Sequence, residues 1–274
     1  MKAAKFELDQ ADSLERALQA LAQGAGMARA LAGGQSLVPM LNLRLAPLDT
    51  LVDLSRIAEL KQVRDLGNSI VYGAMLRHAD FEDGRVPDCA NGLMQHAAGQ
   101  IAYRAVRNRG TIGGALALAD PAADWLTVGM LLDARIHVAS ANGKRVLPLS
   151  GFVVGPYMTA LEENELLTGI ELQKLAPAAR WGYYKVMRKT GEYADSFALA
   201  LSDGARARVV AGAVDGAPLV LEQAAQALLA GATGPALAAI VEHELNDAGR
   251  DFTPGKILLH RTAVCRAIDD LRKK

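Results

Sequence analysis

Two glycine pairs hold the residues with the clearest chemical potential. The first lies in Ala32-Gly33-Gly34-Gln35-Ser36, and the second in Thr111-Ile112-Gly113-Gly114-Ala115. Paired glycines can take backbone conformations that point successive N–H groups into one concavity, and the missing side chains let an anion come close. Ser36 and Thr111 add hydroxyl donors, and a neighbouring helix adds unpaired N–H groups and a positive dipole end. Two such loops facing each other would hold two phosphates, which is a diphosphate, with no lysine required. Taken singly, each pair is an ordinary turn. Taken together they point to a nucleotide cofactor without identifying it.

Other chemistry is missing from the sequence. There is no G-x-x-x-x-G-K-[ST], no H-E-x-x-H and no G-x-S-x-G. Gly24-Ala25-Gly26 comes nearest to a dinucleotide fingerprint, but Arg29 fills the final small position and a helix stands where a strand is needed. His78, His96, His137, His243 and His260 show no ligand-like clustering and read as surface or core-edge residues. Cys89 and Cys265 are far apart, so this chain alone builds no disulfide framework, Cys-rich zinc site or all-Cys iron–sulfur cluster.

The elements that must position the glycine loops follow from periodicity and breakers. Asp12-Ser13 caps a helix with Leu14, Leu18 and Leu21 on one face, closing near Gly24. A strand over Ala28–Ala32 runs into the first loop, a short helix spans 36–45 with Pro39 near its first turn, and Thr50–Leu54 is another strand. Leu66-Gly67-Asn68 turns a hairpin ending near Tyr72. Helices are expected at 77–83, 88–101 and 121–132, and a second hairpin turns at Asn142-Gly143. Strands at 181–187, 196–201 and 207–214, an Ala/Leu-rich helix and a terminal helix from Pro254 complete the chain.

These blocks are α+β in separate units, not a regular βαβ alternation. The 274 residues are 51% hydrophobic and 22% charged, enough for about two domains. Thirty basic residues balance 30 acidic ones, which argues against nucleic acid or an anionic membrane as main partner. The Met1–Gln10 segment has no apolar signal-peptide core, and the uncharged run from Gln223 to Val241 is too broken for a bilayer span, so a cytoplasmic protein is expected.

A family resemblance rests on several of these segments in order. Leu31–Met40, Leu51–Leu54, Tyr72–Ala74, Arg107–Gly114, Ala119–Asp124, Glu165–Leu167, Lys185–Lys189 and Gly191–Ala194 together resemble the flavin-binding medium subunit of molybdenum hydroxylases. That group includes carbon monoxide dehydrogenase and the FAD domain of xanthine dehydrogenase. The resemblance implies a two-lobed FAD-binding domain of the PCMH type over 1–176, with lobes of about 1–55 and 56–176. A C-terminal domain over 177–274 would carry a three-stranded antiparallel sheet and helices.

The resemblance also implies FAD lying extended between the two lobes. Ala32, Gly33, Gly34, Gln35 and Ser36 would hold its diphosphate with Thr111, Ile112, Gly113, Gly114 and Ala115. Asp124 would serve the ribose or adenine side, Leu167 and Lys185 the flavin end, and Tyr193 would stack on or gate the isoalloxazine. No side chain need act as acid, base or nucleophile. Ala115 replaces a frequent asparagine, which implies weaker cofactor retention. Gln35 stands where some distant flavoproteins carry a histidine linked to the flavin, so FAD should be non-covalent. One partner would hold the molybdopterin and oxidise the substrate, a second would carry [2Fe–2S] clusters, and the family implies a dimer of heterotrimers. Two further readings are a self-contained FAD oxidoreductase and a non-catalytic assembly subunit without flavin.

Overall fold

The structure is a computed structural model that describes residues 2–24 and 26–274; Met1, and Ala25 of the rejected Gly-x-Gly segment, lie outside them. The first lobe begins with β1 (Glu7–Gln10), α1 (Leu14–Gln23) and β2 (Ala28–Leu31). The Ser13 hydroxyl accepts from the Arg16 N–H and starts α1, which buries Ala17, Leu18 and Leu21. After α2 (Leu37–Asn42), β3 (Thr50–Asp53) enters between β1 and β2 and runs parallel to both. A parallel neighbour needs a crossover, which α1 and the stretch through α2 provide.

The second lobe is built on a five-stranded antiparallel sheet. Its strands are β4 (Val63–Asp65), β5 (Ser69–Gly73), β6 (Arg135–Ser140), β7 (Gly143–Pro148) and β10 (Leu166–Gln173), in the order β4-β5-β10-β6-β7. Both expected hairpins form, but they meet only through β10, which pairs with β5 on one side and β6 on the other. Ile70, Tyr72, Ile136, Val138, Ile170 and Leu172 turn one face of this sheet into the main core. Over that face lie α3 (His78–Glu82), α4 (Leu93–Gly99), α5 (Arg104–Arg107), α6 (Ile112–Leu118), α7 (Asp124–Leu131) and α8 (Leu149–Phe152). The short hairpin of β8 (Val153–Gly155) and β9 (Met158–Thr159) follows α8. At one edge Met75, Ala139 and Leu166 pack with Ala17, Leu18 and Val52 of the first lobe, so the two lobes share a seam.

Two helices of the second lobe differ from the sequence reading. The helix expected over 88–101 is only α4, because the Asp88 carboxylate accepts from the N–H groups of Ala90 and Gln95 and holds the preceding chain in a turn. Conversely, the second glycine pair is not a loop ahead of a helix but part of one. Gly113 and Gly114 lie in the first turn of α6, capped by Thr111.

The chain passes from β10 to the C-terminal sheet between Gln173 and Arg180. Here β11 (Arg180–Val186), β12 (Ser196–Ser202) and β13 (Ala207–Gly212) form the expected antiparallel trio, and the two-residue β14 (Leu219–Val220) extends it. The Ala/Leu-rich stretch divides at Gly231, φ +75°, into α9 (Glu222–Leu229) and α10 (Gly234–Asn246). The 20-residue α11 (Pro254–Lys273) crosses the sheet so closely that a Cβ on Gly182 would stand 1.8 Å from the Ala267 carbonyl oxygen. Among the described residues, no helix is long and apolar enough to cross a membrane.

Candidate functional site

The two glycine segments, 75 and more residues apart, come into contact. A Cβ on Gly33 would stand 2.2 Å from the Arg109 carbonyl oxygen and 2.7 Å from the Gly110 Cα. Only a residue without a side chain lets the first lobe seat on the second here. A Cβ on Gly114 would lie 3.3 Å from that of Ala32, so the loops face each other along several residues. Tyr72-Gly73-Ala74 fastens the underside. The Ala74 N–H donates to the Thr168 carbonyl at 3.0 Å, and its carbonyl accepts from the Gly113 N–H at 2.9 Å.

The loops supply different things. The N–H groups of Gly33, Gly34, Gln35 and Ser36 donate to no group among the described residues, and Gly34 turns the chain at φ +72°. Unpaired amides in a half-exposed loop are open donors for an anion. In the second segment the amides of residues 112 to 115 are already spent. Ile112 donates to the Leu76 carbonyl, Gly113 to Ala74, Gly114 to the Thr111 Oγ1 at 3.0 Å, and Ala115 to the Thr111 carbonyl. The Thr111 oxygen, expected as a free donor group, is therefore the acceptor that caps α6. The anion-binding amides belong to the first loop, while the second gives a close glycine wall and the positive end of α6.

Away from the glycine segments, other expected site residues meet between the two domains. Asp124, on the first turn of α7, meets Lys185 of β11, with Nζ 2.9 and 3.0 Å from its two oxygens, and the Tyr183 hydroxyl donates to it at 2.9 Å. Both ion-pair side chains are buried, at 6% and 4% exposed. Burial pushes the Asp124 carboxyl above its ordinary value, and the Lys185 charge opposes this. The pairing corrects one assignment: Asp124 and Lys185 occupy a single point and cannot serve opposite ends of an extended dinucleotide. Leu167 points into the main core beside the β-bulge at Leu167–Gly169.

Tyr193 stands largely exposed on the turn between β11 and β12. Although the residue as a whole is exposed, partial desolvation of its hydroxyl beside the Asp120 carboxylate pushes the phenol up to about 12. Asp120 also accepts from the Tyr157 hydroxyl at 3.2 Å, and Tyr157 holds the β8–β9 hairpin tip at φ +56°. Gly191 lies under the Tyr103 ring, where a Cβ would come within 2.6 Å of a ring carbon. Tyr103, Asp120 and Tyr157 were not singled out as site residues from sequence. Asp120 sits inside the Ala119–Asp124 motif, but nothing in the sequence marks the two tyrosines. Among the described residues no group of His, Cys, Asp and Glu is arranged to hold a metal ion.

A glycine loop with open amides, seated against a glycine-bearing helix start across a two-lobed α+β domain, defines a nucleotide-cofactor-binding protein. Residues 4–174 match the family described as the FAD binding domain in molybdopterin dehydrogenase, and the chain belongs to that family. It is similar to the carbon monoxide dehydrogenase medium chain of Hydrogenophaga pseudoflava, 39% identical over 190 residues, covering 69% of this chain and 66% of that one. It is also similar to the glyceraldehyde dehydrogenase medium chain of Sulfolobus acidocaldarius, 40% identical over 198 residues, covering 72% and 70%. The solved structure of the Hydrogenophaga pseudoflava carbon monoxide dehydrogenase that lacks the Mo-pyranopterin moiety contains a chain that superposes with a TM-score of 0.90. That match is 32% identical and covers 100% of this chain and 99% of the other.

Proposed function

We propose that this chain is the FAD-binding electron-transfer subunit of a three-component molybdenum hydroxylase. A molybdopterin-containing partner would oxidise the substrate, and a [2Fe–2S] partner would deliver electrons for transfer to an external acceptor. Bound FAD would supply the exchange between one-electron and two-electron chemistry; the chain supplies binding, orientation and electrostatics. The observation that carries this reading is the contact of Gly33 with Arg109–Gly110 beside four open amides.

The residues fit the group in that role. The Gly33–Ser36 amides would take the diphosphate, with Ala32, Thr111 and Gly113 shaping the walls and Gly114 and Ala115 lining the partly open edge. Asp124, Lys185 and Tyr193 would serve the part of the site nearest the C-terminal domain. Gln35 bonds the Gly33 carbonyl through Nε2 and offers no nucleophile, which supports non-covalent FAD. Relatives named for different substrates, carbon monoxide and glyceraldehyde, match to a similar degree, which supports placing substrate choice on another subunit.

The test is an FAD titration of the purified chain followed by heat release, with and without partner subunits. One FAD per chain, released unmodified, is expected. Gly114→Asp, which adds bulk 2.9 Å from the Thr111 Oγ1 together with a negative charge, should abolish binding. A folded Gly114→Asp protein with full flavin content would remove the diphosphate assignment.

A further inference from the structure

Two histidines expected at the surface or core edge are instead buried, and the site described above uses neither. His260 is enclosed, with Nδ1 2.8 Å from the Ser196 hydroxyl and Phe252 against its ring, and it has no path to the crevice. His78 is placed differently. It opens α3, is 5% exposed, and receives the Trp125 indole N–H on Nδ1 at 2.9 Å. An acceptor at Nδ1 requires the ring proton to sit on Nε2. Burial, with the Arg107 charge nearby, pushes the ring's pKa down to about 4, so it is neutral near pH 7. Arg107 is itself held by Glu82 and by the carbonyls of Ile101 and Ala102.

The His78 ring lies directly beneath the second loop. Its backbone N–H donates to the Gly110 carbonyl at 2.9 Å, and a Cβ on Gly110 would stand 2.8 Å from both Cδ2 and Nε2. Gly110 does not have a positive φ, so its glycine answers to its neighbours: the His78 ring first, and then the Val106 carbonyl, which a Cβ would approach to 3.2 Å. On its other side Gly110 meets Gly33. Trp125, His78, Gly110 and Gly33 are therefore linked in one chain of contacts that runs from the core to the first glycine loop.

We propose that His78 is a positioning residue for cofactor binding: its ring, oriented by Trp125, is the strut that sets the Arg109–Gly110 turn against Gly33 and so the width of the cleft between the glycine loops. The inference rests on the FAD reading above. It predicts a coupling of particular sign. His78→Asn keeps an acceptor for Trp125 but shortens the strut, and should raise the FAD Kd about tenfold, a change of about 1.4 kcal/mol. Gly110→Ala drives a methyl into the ring and should raise it at least as much. The double variant should bind FAD more tightly than Gly110→Ala alone, because the space vacated by the imidazole accepts the methyl group.

The experiment is FAD titration of the four full-length proteins, with urea unfolding and Trp fluorescence run alongside. If His78→Asn does not fold, His78→Gln takes its place, alone and combined with Gly110→Ala. A histidine with only a stabilising role would shift the urea midpoint and leave the Kd of folded protein unchanged, which would overturn the proposal. Additive losses in the double variant would also overturn it. A wild-type chain that takes no FAD, alone or with its partners, would overturn the cofactor reading and the strut together; wild-type binding beside additive variants would overturn the strut alone.

Discussion

Asp124 of α7 and Lys185 of β11 form a buried ion pair, 2.9 Å apart, between the FAD-binding domain and the C-terminal domain. Removing one partner leaves a charge in a low-dielectric site, which typically costs about 3–5 kcal/mol. Lys185→Met should therefore lower urea stability by roughly that amount. Asp124→Asn combined with Lys185→Met should recover part of the loss, since neither charge then remains buried. Equal destabilisation in single and double variants would show that the pair is not coupled.

Gly33→Ala should separate the two loops without unfolding either lobe. Its Cβ would face a backbone carbonyl at 2.2 Å, which cannot rotate away as a side chain would. The FAD Kd should rise more than tenfold, about 1.4 kcal/mol or more. Gly34→Ala probes a different cost: its φ of +72° penalises any L side chain by about 1–2 kcal/mol, mainly in stability. Isothermal titration and urea melts of the two variants would separate these effects.

Acid should destabilise the fold through its two buried histidines. Burial holds His78 and His260 each at about 4, against 6.5 in the unfolded chain. The unfolded state takes up protons that the folded state refuses, so stability is full above pH 6.5 and falls as the pH drops toward 4. At about 1.36 kcal/mol per pH unit, each histidine accounts for about 3 kcal/mol across that window. Urea midpoints between pH 7 and 4 measure the slope, and His260→Gln should reduce it by up to one proton. An unchanged slope would show that His260 does not titrate with unfolding.

Asp120→Asn should lower the Tyr193 phenol from about 12 toward its ordinary value, because besides partial desolvation it is the Asp120 charge facing the hydroxyl that opposes ionisation. Ultraviolet titration against a Tyr193→Phe control reads this directly. No difference between wild type and Asp120→Asn would separate the two side chains.

Much of this protein is legible in order along the chain. The glycine pairs, the capped α1, the two hairpins, strands β11 to β13 and the terminal α11 all show in local patterns, because period and turn chemistry act over a few residues. The sequence alone therefore determined the α+β class, the likeness to flavin-binding medium subunits and the position of the first loop. Tertiary structure decided what pairing at a distance controls. β10 joins the two hairpins although Thr168-Gly169 interrupts its apolar run, because its neighbours on both sides supply the hydrogen bonds. Gly113 and Gly114 are helical against their propensity, because Ala74 leaves no room for a side chain at Gly113 and Thr111 caps the turn. Which amides stay open for an anion, whether Asp124 faces a ribose or a lysine, and that His78 props Gly110 were set by contacts between residues 30 to 80 positions apart. Local patterns carry no record of such contacts; they exist only once the lobes have packed.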